Sequence, residues 1–152
     1  MSVPSVSVLI PSYNCARYLP ETIESVLTQT LRDFELVVLD DRSSDSSSEV
    51  LERYARRDGR IRYRSNERNL GLVENWNACL DAARGKYVKF LHSDDKLTRP
   101  AALEQLVALL DEQPSASLAV CGREIIDENS PSPKIVPGTA RTKSNWRKAI
   151  SC

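Results

Sequence analysis

Two pairs of adjacent aspartates, Asp40-Asp41 and Asp94-Asp95, and the polar segment Pro11-Ser12-Tyr13-Asn14 are the residues best suited to chemistry here. A carboxylate pair with no cysteine or histidine cluster beside it is a hard-oxygen site, suited to magnesium or manganese rather than zinc. Neighbouring residues at the end of a strand point in different directions, so Asp94 and Asp95 are expected to divide the work. One would take a divalent ion and the other would accept hydrogen bonds from a sugar hydroxyl. An ion held there bridges a diphosphate and neutralises the charge that builds as it leaves. Asp40 or Asp41 is suited to accept an N–H from a base or to bond a ribose, and the Tyr13 ring to stack on the base.

The sequence excludes several other ways of holding phosphate. Pro-Ser-Tyr-Asn stands where a dinucleotide fold needs G-x-G-x-x-G, and no G-x-x-x-x-G-K-[ST] occurs, so dehydrogenases and P-loop enzymes are set aside. The 152 residues carry 21 basic and 21 acidic side chains, which gives no broad pull toward nucleic acid or an anionic membrane. The cysteines Cys15, Cys79, Cys121 and Cys152 form no C-x-x-C pair, and the chain has 1 histidine. Free thiols in a reducing compartment are therefore expected, not a zinc site. The N-terminal apolar stretch is too short to span a bilayer and lacks a signal peptide's basic flank, so a cytoplasmic protein without a transmembrane segment is expected.

The elements that position these groups alternate. Val6 to Ile10 is a β-branched run stopped by Pro11, and reads as a buried strand. Leu19, Ile23, Val26 and Leu27 share a helix face, with Pro20 in its first turn. Phe34 to Leu39 is a second buried strand ending at Asp40-Asp41, and Val50, Leu51 and Tyr54 mark a helix that Asp45 and the serines of 43–48 would cap. Ile61 to Arg64 is a short strand, after which Asn69-Leu70-Gly71 opens a helix with Leu72, Trp76, Leu80 and Ala83 inward and Gly85 at its end. Tyr87 to Leu91 is a strand that runs into His92-Ser93-Asp94-Asp95. Pro100 starts a helix with Leu103, Leu106, Val107 and Leu110 inward, and Ser117 to Cys121 is a fifth strand. After Gly122 the pattern fades into a proline- and glycine-rich stretch. This order predicts an α/β fold, a mostly parallel sheet with helices on both faces. Ligands of such sheets sit beyond the carboxyl ends of the strands, where Pro11 to Asn14, Asp40-Asp41 and His92 to Asp95 should converge.

The segments VSVLIPSYN, FELVVLDDRSSD, NLG with Asn77, and GKYVKFLHSDD, in that order from Val6 to about Gly122, resemble the inverting family 2 glycosyltransferases. The resemblance implies a Rossmann-like GT-A fold, with residues 1–122 as its nucleotide-sugar-binding core and 123–152 as the loop-rich start of an acceptor-side region. It implies transfer of a sugar from a nucleotide-diphosphate donor, a UDP-sugar above all, to an acceptor hydroxyl with inversion. It also implies Mn2+ or Mg2+, and a setting such as cell-envelope polysaccharide synthesis in the cytoplasm or at the membrane periphery. The acceptor class, saccharide, lipid-linked or protein, stays open. Carried onto this sequence, the family's pattern puts Asp41 on the base, Tyr13 and Pro11 in the base pocket, Asp94 on the ribose and Asp95 on the metal. His92-Ser93 departs from the pattern, which often has an acidic residue or Gln before the small residue. Family members usually run on for about a hundred residues more, which implies a truncated fold with the general base beyond the chain end. Asp127 and Glu128 come too soon after the fifth strand to be its natural candidates.

Other readings remain beside this one. The chain could be a non-catalytic module that binds nucleotide-sugar, or a phosphoacceptor domain, although the latter places its acidic pair after the first strand. Asp94-Asp95 could merely cap a helix, Asp40 bond loop N–H groups, Asn69, Gly71 and Asn77 shape a helix start, and Trp76 fill the core. An uncovered edge strand would invite self-association into a homo-oligomer.

Overall fold

The computed structural model describes residues 3–125 and, as short strands, 134–136 and 149–151. Strands β1 (Val6–Ser12), β2 (Phe34–Asp40), β3 (Ile61–Ser65), β4 (Tyr87–Phe90) and β5 (Leu118–Val120) alternate with helices α1 (Leu19–Leu27), α2 (Ser47–Arg57), α3 (Leu72–Ala82) and α4 (Ala102–Glu112). Three further strands follow, β6 (Arg123–Ile125), β7 (Lys134–Val136) and β8 (Ala149–Ser151). The main sheet runs β3-β2-β1-β4-β8-β5, and β6 and β7 pair separately. Each pairing in the main sheet is parallel, while β6 and β7 are antiparallel. Strand β8 lies between β4 and β5, drawn from the stretch whose pattern had faded. Asp127, Glu128 and Cys152 lie outside the described residues.

The strands are apolar on both sides because both sides are covered. Val6, Val8 and Ile10 pack with Leu36 and Val38 beneath α1, α2 and α4, through Leu19, Ile23, Leu51, Leu103 and Leu110. Leu9, Val37, Leu39 and Val88 form the opposite core with Cys79 of α3. Here the expected inner face of α3 is corrected. Asn75 and Cys79 are its buried residues, while Leu72 is 72% exposed. Leu80 and Ala83 pack against this core as expected, while the first turn of α3 abuts polar strand ends and turns Asn75 inward in place of Leu72.

Two other expectations shift. Helix α4 begins at Ala102, with Pro100 in the preceding turn, where its carbonyl accepts Thr30 N–H at 2.8 Å. Cys15 and Cys79 are free thiols, but Cys121 is disulfide-bonded. Wide spacing in sequence, the ground for reading every thiol as free, does not keep thiols apart in the fold. No helix among the described residues is long and apolar enough to cross a membrane.

A buried polar clasp fixes the lower end of β4. Glu35 Oε1 accepts Ser7 Oγ at 2.5 Å and Arg84 N–H at 2.7 Å, and Glu35 Oε2 accepts Arg62 Nη1 at 2.8 Å. Burial pushes the Glu35 carboxyl up, but the bonds from Ser7, Arg62 and Arg84 outweigh it and hold it below its ordinary value. Gly85 closes the turn into β4 so tightly that a Cβ there would lie 2.5 Å from Ser7 N. Only glycine permits that approach.

Candidate functional site

The strand order reverses direction at β1, which has β2 on one side and β4 on the other. The loops leaving these three strands lie side by side at the carboxyl end of the sheet, where folds of this kind bind their ligands. Asp40, Asp41, Pro11, Tyr13, Asp94 and Asp95 are all carried by the ends of these strands or the loops that leave them.

The β1 and β2 loops are bonded to each other. Asn14 sits at φ 52, in the left-handed region that asparagine tolerates, and its Oδ1 accepts Ser44 N–H at 2.8 Å. Ser43 Oγ accepts Asn14 N–H at 2.9 Å and donates to Asp40 Oδ1 at 2.5 Å. Asp40 Oδ2 also accepts Ser43 N–H at 3.0 Å, so this fully buried carboxylate organises the loop. Asp45 does the same for the start of α2, accepting Ser47 N–H and Ala16 N–H, each at 3.0 Å.

Asp41 is 3% exposed and faces the β3–α3 connection. Its Oδ1 accepts Asn66 Nδ2 at 2.8 Å and Leu70 N–H at 2.7 Å, and its Oδ2 accepts Gly71 N–H at 2.8 Å. Asn69 Nδ2 donates to the Asp41 carbonyl at 3.1 Å. Asn66 also donates to Asn75 Oδ1 at 2.9 Å, and Asn75 Nδ2 donates to the Leu39 carbonyl at 3.2 Å. Asn69 and Gly71 thus shape the entry to α3, whereas Asn77 is exposed. Sequence reasoning passed over Asn66 and Asn75. Their signal was present as polar residues flanking the NLG turn, but only the fold shows them meeting. Oδ2 of Asp41 keeps an acceptor direction that these donors leave unused.

The β4 loop is anchored to α1 and leaves its acids free. Thr22 Oγ1 donates to the Ser93 carbonyl at 3.0 Å, Leu97 N–H donates to Ser25 Oγ at 3.1 Å, and Lys96 pairs with Glu21. Asp94 and Asp95 are exposed, and among the described residues neither carboxylate accepts a hydrogen bond. Tyr13, in the loop that leaves β1, is 51% exposed. Trp76 is corrected from core to wall. It is half-buried, stacks on Phe90 with ring centroids 4.6 Å apart, and meets the His92 ring edge-on at 5.0 Å. Below the loop, Lys89 is buried in β4 and donates to the Phe90 carbonyl at 2.8 Å. Burial pushes its ammonium down to about 8, while the Asp95 charge acts in the opposite direction. Ser12 Oγ, at the end of β1, is buried and has no hydrogen-bond partner among the described residues.

No group of three or more metal-binding side chains occurs among the described residues. The donor set is two free carboxylates. That suits a Mg2+ or Mn2+ ion which keeps its waters and takes its remaining oxygens from a substrate phosphate. Asp95 and Asp94 fit such an ion, and the described residues form no dedicated cage for it.

Residues 7–149 match the sequence profile described as Glycosyl transferase family 2. The uncharacterized glycosyltransferase EpsJ of Bacillus subtilis (strain 168) is 38% identical over 120 residues, which are 79% of this chain and 34% of EpsJ. The crystal structure of S. aureus TarS 1-349 in complex with UDP-GlcNAc aligns with a TM-score of 0.73 at 29% identity, over 84% of this chain and 37% of that one. The mannosyltransferase PcManGT from Pyrobaculum calidifontis, in complex with GDP-Man and Mn2+, aligns with a TM-score of 0.72 at 23% identity, over 79% of this chain and 36% of its own. The chain thus spans about a third of the length of EpsJ and little more of either structure.

Proposed function

The chain belongs to glycosyl transferase family 2 and has the family's GT-A fold, and on that premise we propose that it forms the donor site of a sugar-transferring enzyme. The observation that carries this reading is the placement of three polar strand ends at the switch point, with Asp94 and Asp95 exposed and, among the described residues, accepting no hydrogen bond. The donor is a nucleotide-diphosphate sugar, and UDP is the nucleotide in the TarS complex.

In this reading Tyr13 and Pro11 line the base, and the open acceptor direction of Asp41 Oδ2 takes a base N–H such as uracil offers. Asp94 would accept from the ribose, and Asp95 would hold the metal. A Mg2+ or Mn2+ ion bound there supplies Lewis-acid stabilisation of the departing diphosphate. The chain's own part is orientation. The cross-bonded β1 and β2 loops fix the base, and the α1-anchored loop fixes the distance from base to phosphate. Transfer proceeds with inversion, through a transition state of oxocarbenium character. The general base is a role assigned to none of these residues, and residues 123–152 begin the acceptor side.

Calorimetry of UDP with Mn2+ tests the site on wild type, Tyr13→Ala and Asp95→Ala. Both side chains are exposed, so both variants should fold. Tyr13→Ala should weaken UDP about tenfold, as loss of base stacking does. Asp95→Ala should remove the dependence on Mn2+. Equal binding by all three proteins overturns the assignment.

A further inference from the structure

Helix α3 reaches both of the strands that flank β1. It covers β1 from one side of the sheet, with Cys79 packed among Leu9, Val37, Leu39 and Val88. Two adjacent residues of α3 then turn to opposite neighbours of β1. Asn75 Nδ2 donates to the Leu39 carbonyl of β2 at 3.2 Å. Trp76 stacks on Phe90 of β4, with centroids 4.6 Å apart and an interplanar angle of 20°. The Trp76 ring also meets His92 edge-on, at 5.0 Å and 62°, and His92 stands at the start of the loop that carries Asp94 and Asp95. On the other side of the sheet the same loop is held by α1, where Thr22 Oγ1 donates to the Ser93 carbonyl. Leu91 lies in the core beneath α1 and α4, whereas Phe90 packs against the core of α3. The acidic loop thus leaves β4 gripped from both faces, by hydrogen bonds on one and by stacked rings on the other.

We propose that Trp76 is a positioning residue for the Asp94-Asp95 loop, acting through Phe90 and His92 so that α3 sets where the acids stand relative to Asp41. This rests on the reading of Asp95 as the metal ligand. The same helix is entered at Gly71, whose N–H bonds Asp41 Oδ2 at 2.8 Å. One rigid element therefore references the base end and the metal end of the site to each other across β1. A loop held in this way is ordered before the ion and the diphosphate arrive, and the cost of ordering it does not fall on binding. An aromatic pair holds its partners with an energy equivalent to about two- to tenfold in an equilibrium constant.

The test is calorimetry of UDP with and without Mn2+, the ratio of the two affinities being the enhancement by the ion. Wild type is compared with Trp76→Ala, Trp76→Phe, His92→Ala, the variant carrying both alanine changes, and Asp95→Ala. Trp76→Ala should lower the enhancement about three- to tenfold. Its metal-free UDP affinity should stay within about twofold of wild type, because Gly71 and Asn75 still hold the Asp41 side. Trp76→Phe keeps a ring against Phe90 and should recover most of the loss. His92 is exposed, so His92→Ala should fold even where Trp76→Ala does not, and it should lower the enhancement in the same direction. The double variant should be no worse than Trp76→Ala alone, since the two rings act through one contact. Losses that multiply in the double variant overturn the proposal. So does an unchanged enhancement in His92→Ala or Trp76→Ala, or an equal loss of UDP affinity with and without Mn2+. Should Asp95→Ala keep the full enhancement, the metal assignment itself fails and the proposal falls with it. Loss in Asp95→Ala alone removes the role of Trp76 and leaves the donor site standing.

Discussion

Asp41 offers the sharpest separation of architecture from recognition. Its buried carboxylate receives three hydrogen bonds, from Asn66 Nδ2, Leu70 N–H and Gly71 N–H, at 2.7 to 2.8 Å. Bonds to a charged acceptor contribute about 1.5–3 kcal/mol each, and Asp41→Ala removes the acceptor of both turn amides and of Asn66 Nδ2. Leu70 and Gly71 are only half-buried, so water recovers part of the loss. Asp41→Ala should then cost about 3–5 kcal/mol, a large share of the roughly 5–15 kcal/mol that holds a domain folded. Asp41→Asn keeps Oδ1 for Asn66 and Leu70 but turns an NH2 toward the Gly71 N–H. Donor facing donor should cost about 1–2 kcal/mol. Urea denaturation followed by circular dichroism gives the order directly, as midpoints falling from wild type to Asn to Ala at constant slope. Asp41→Ala within about 1 kcal/mol of wild type, or Asn as damaging as Ala, would refute the accounting. The practical corollary is that lost UDP binding in Asp41→Ala reports a collapsed turn as readily as a lost base contact. Asp41→Asn, measured where it remains folded, is the informative variant.

Two further perturbations address the frame. Gly85→Ala puts a Cβ against the Ser7 backbone and should destabilise by about 1–3 kcal/mol, seen as a lowered Tm, and an unchanged Tm would show that the turn can yield. Glu35 titrates below its ordinary value in the fold, so its stabilisation is present above the unfolded carboxyl value and is lost as pH falls through the folded one. Denaturation midpoints at pH 7 and pH near 3.5 should therefore differ less in Glu35→Gln than in wild type, and equal pH sensitivity would remove Glu35 from the acid response.

Much of this architecture can be read in the chain. VSVLI and FELVVL are apolar apart from the clasp residues Ser7 and Glu35 because β1 and β2 are central and covered twice, and burial of that kind leaves a plain trace. The polar residues at their ends, Ser12 to Asn14 for β1 and Asp40-Asp41 for β2, are visible for the same reason, as abrupt polar stops. What could not be read are the contacts made across long loops. Asn66 and Asn75 look like ordinary polar residues until the β3–α3 connection folds back over Asp41. Lys89 breaks the apolar alternation of β4 and carries no mark of being enclosed. Strand β8, three residues without any period, finds its place only because β4 and β5 leave an open slot.

The bonds joining Asn14, Ser43 and Asp40 bear on kinetics as well as shape. They form when the sheet forms, so the entropy of ordering both loops is lost during folding and not during encounter. On the proposed reading, a nucleotide arriving there meets loops already bonded to each other and needs no loop closure before its base can seat. Association at this end should be limited by orientation and diffusion, and differences in affinity among nucleotides should appear mainly in how fast they leave.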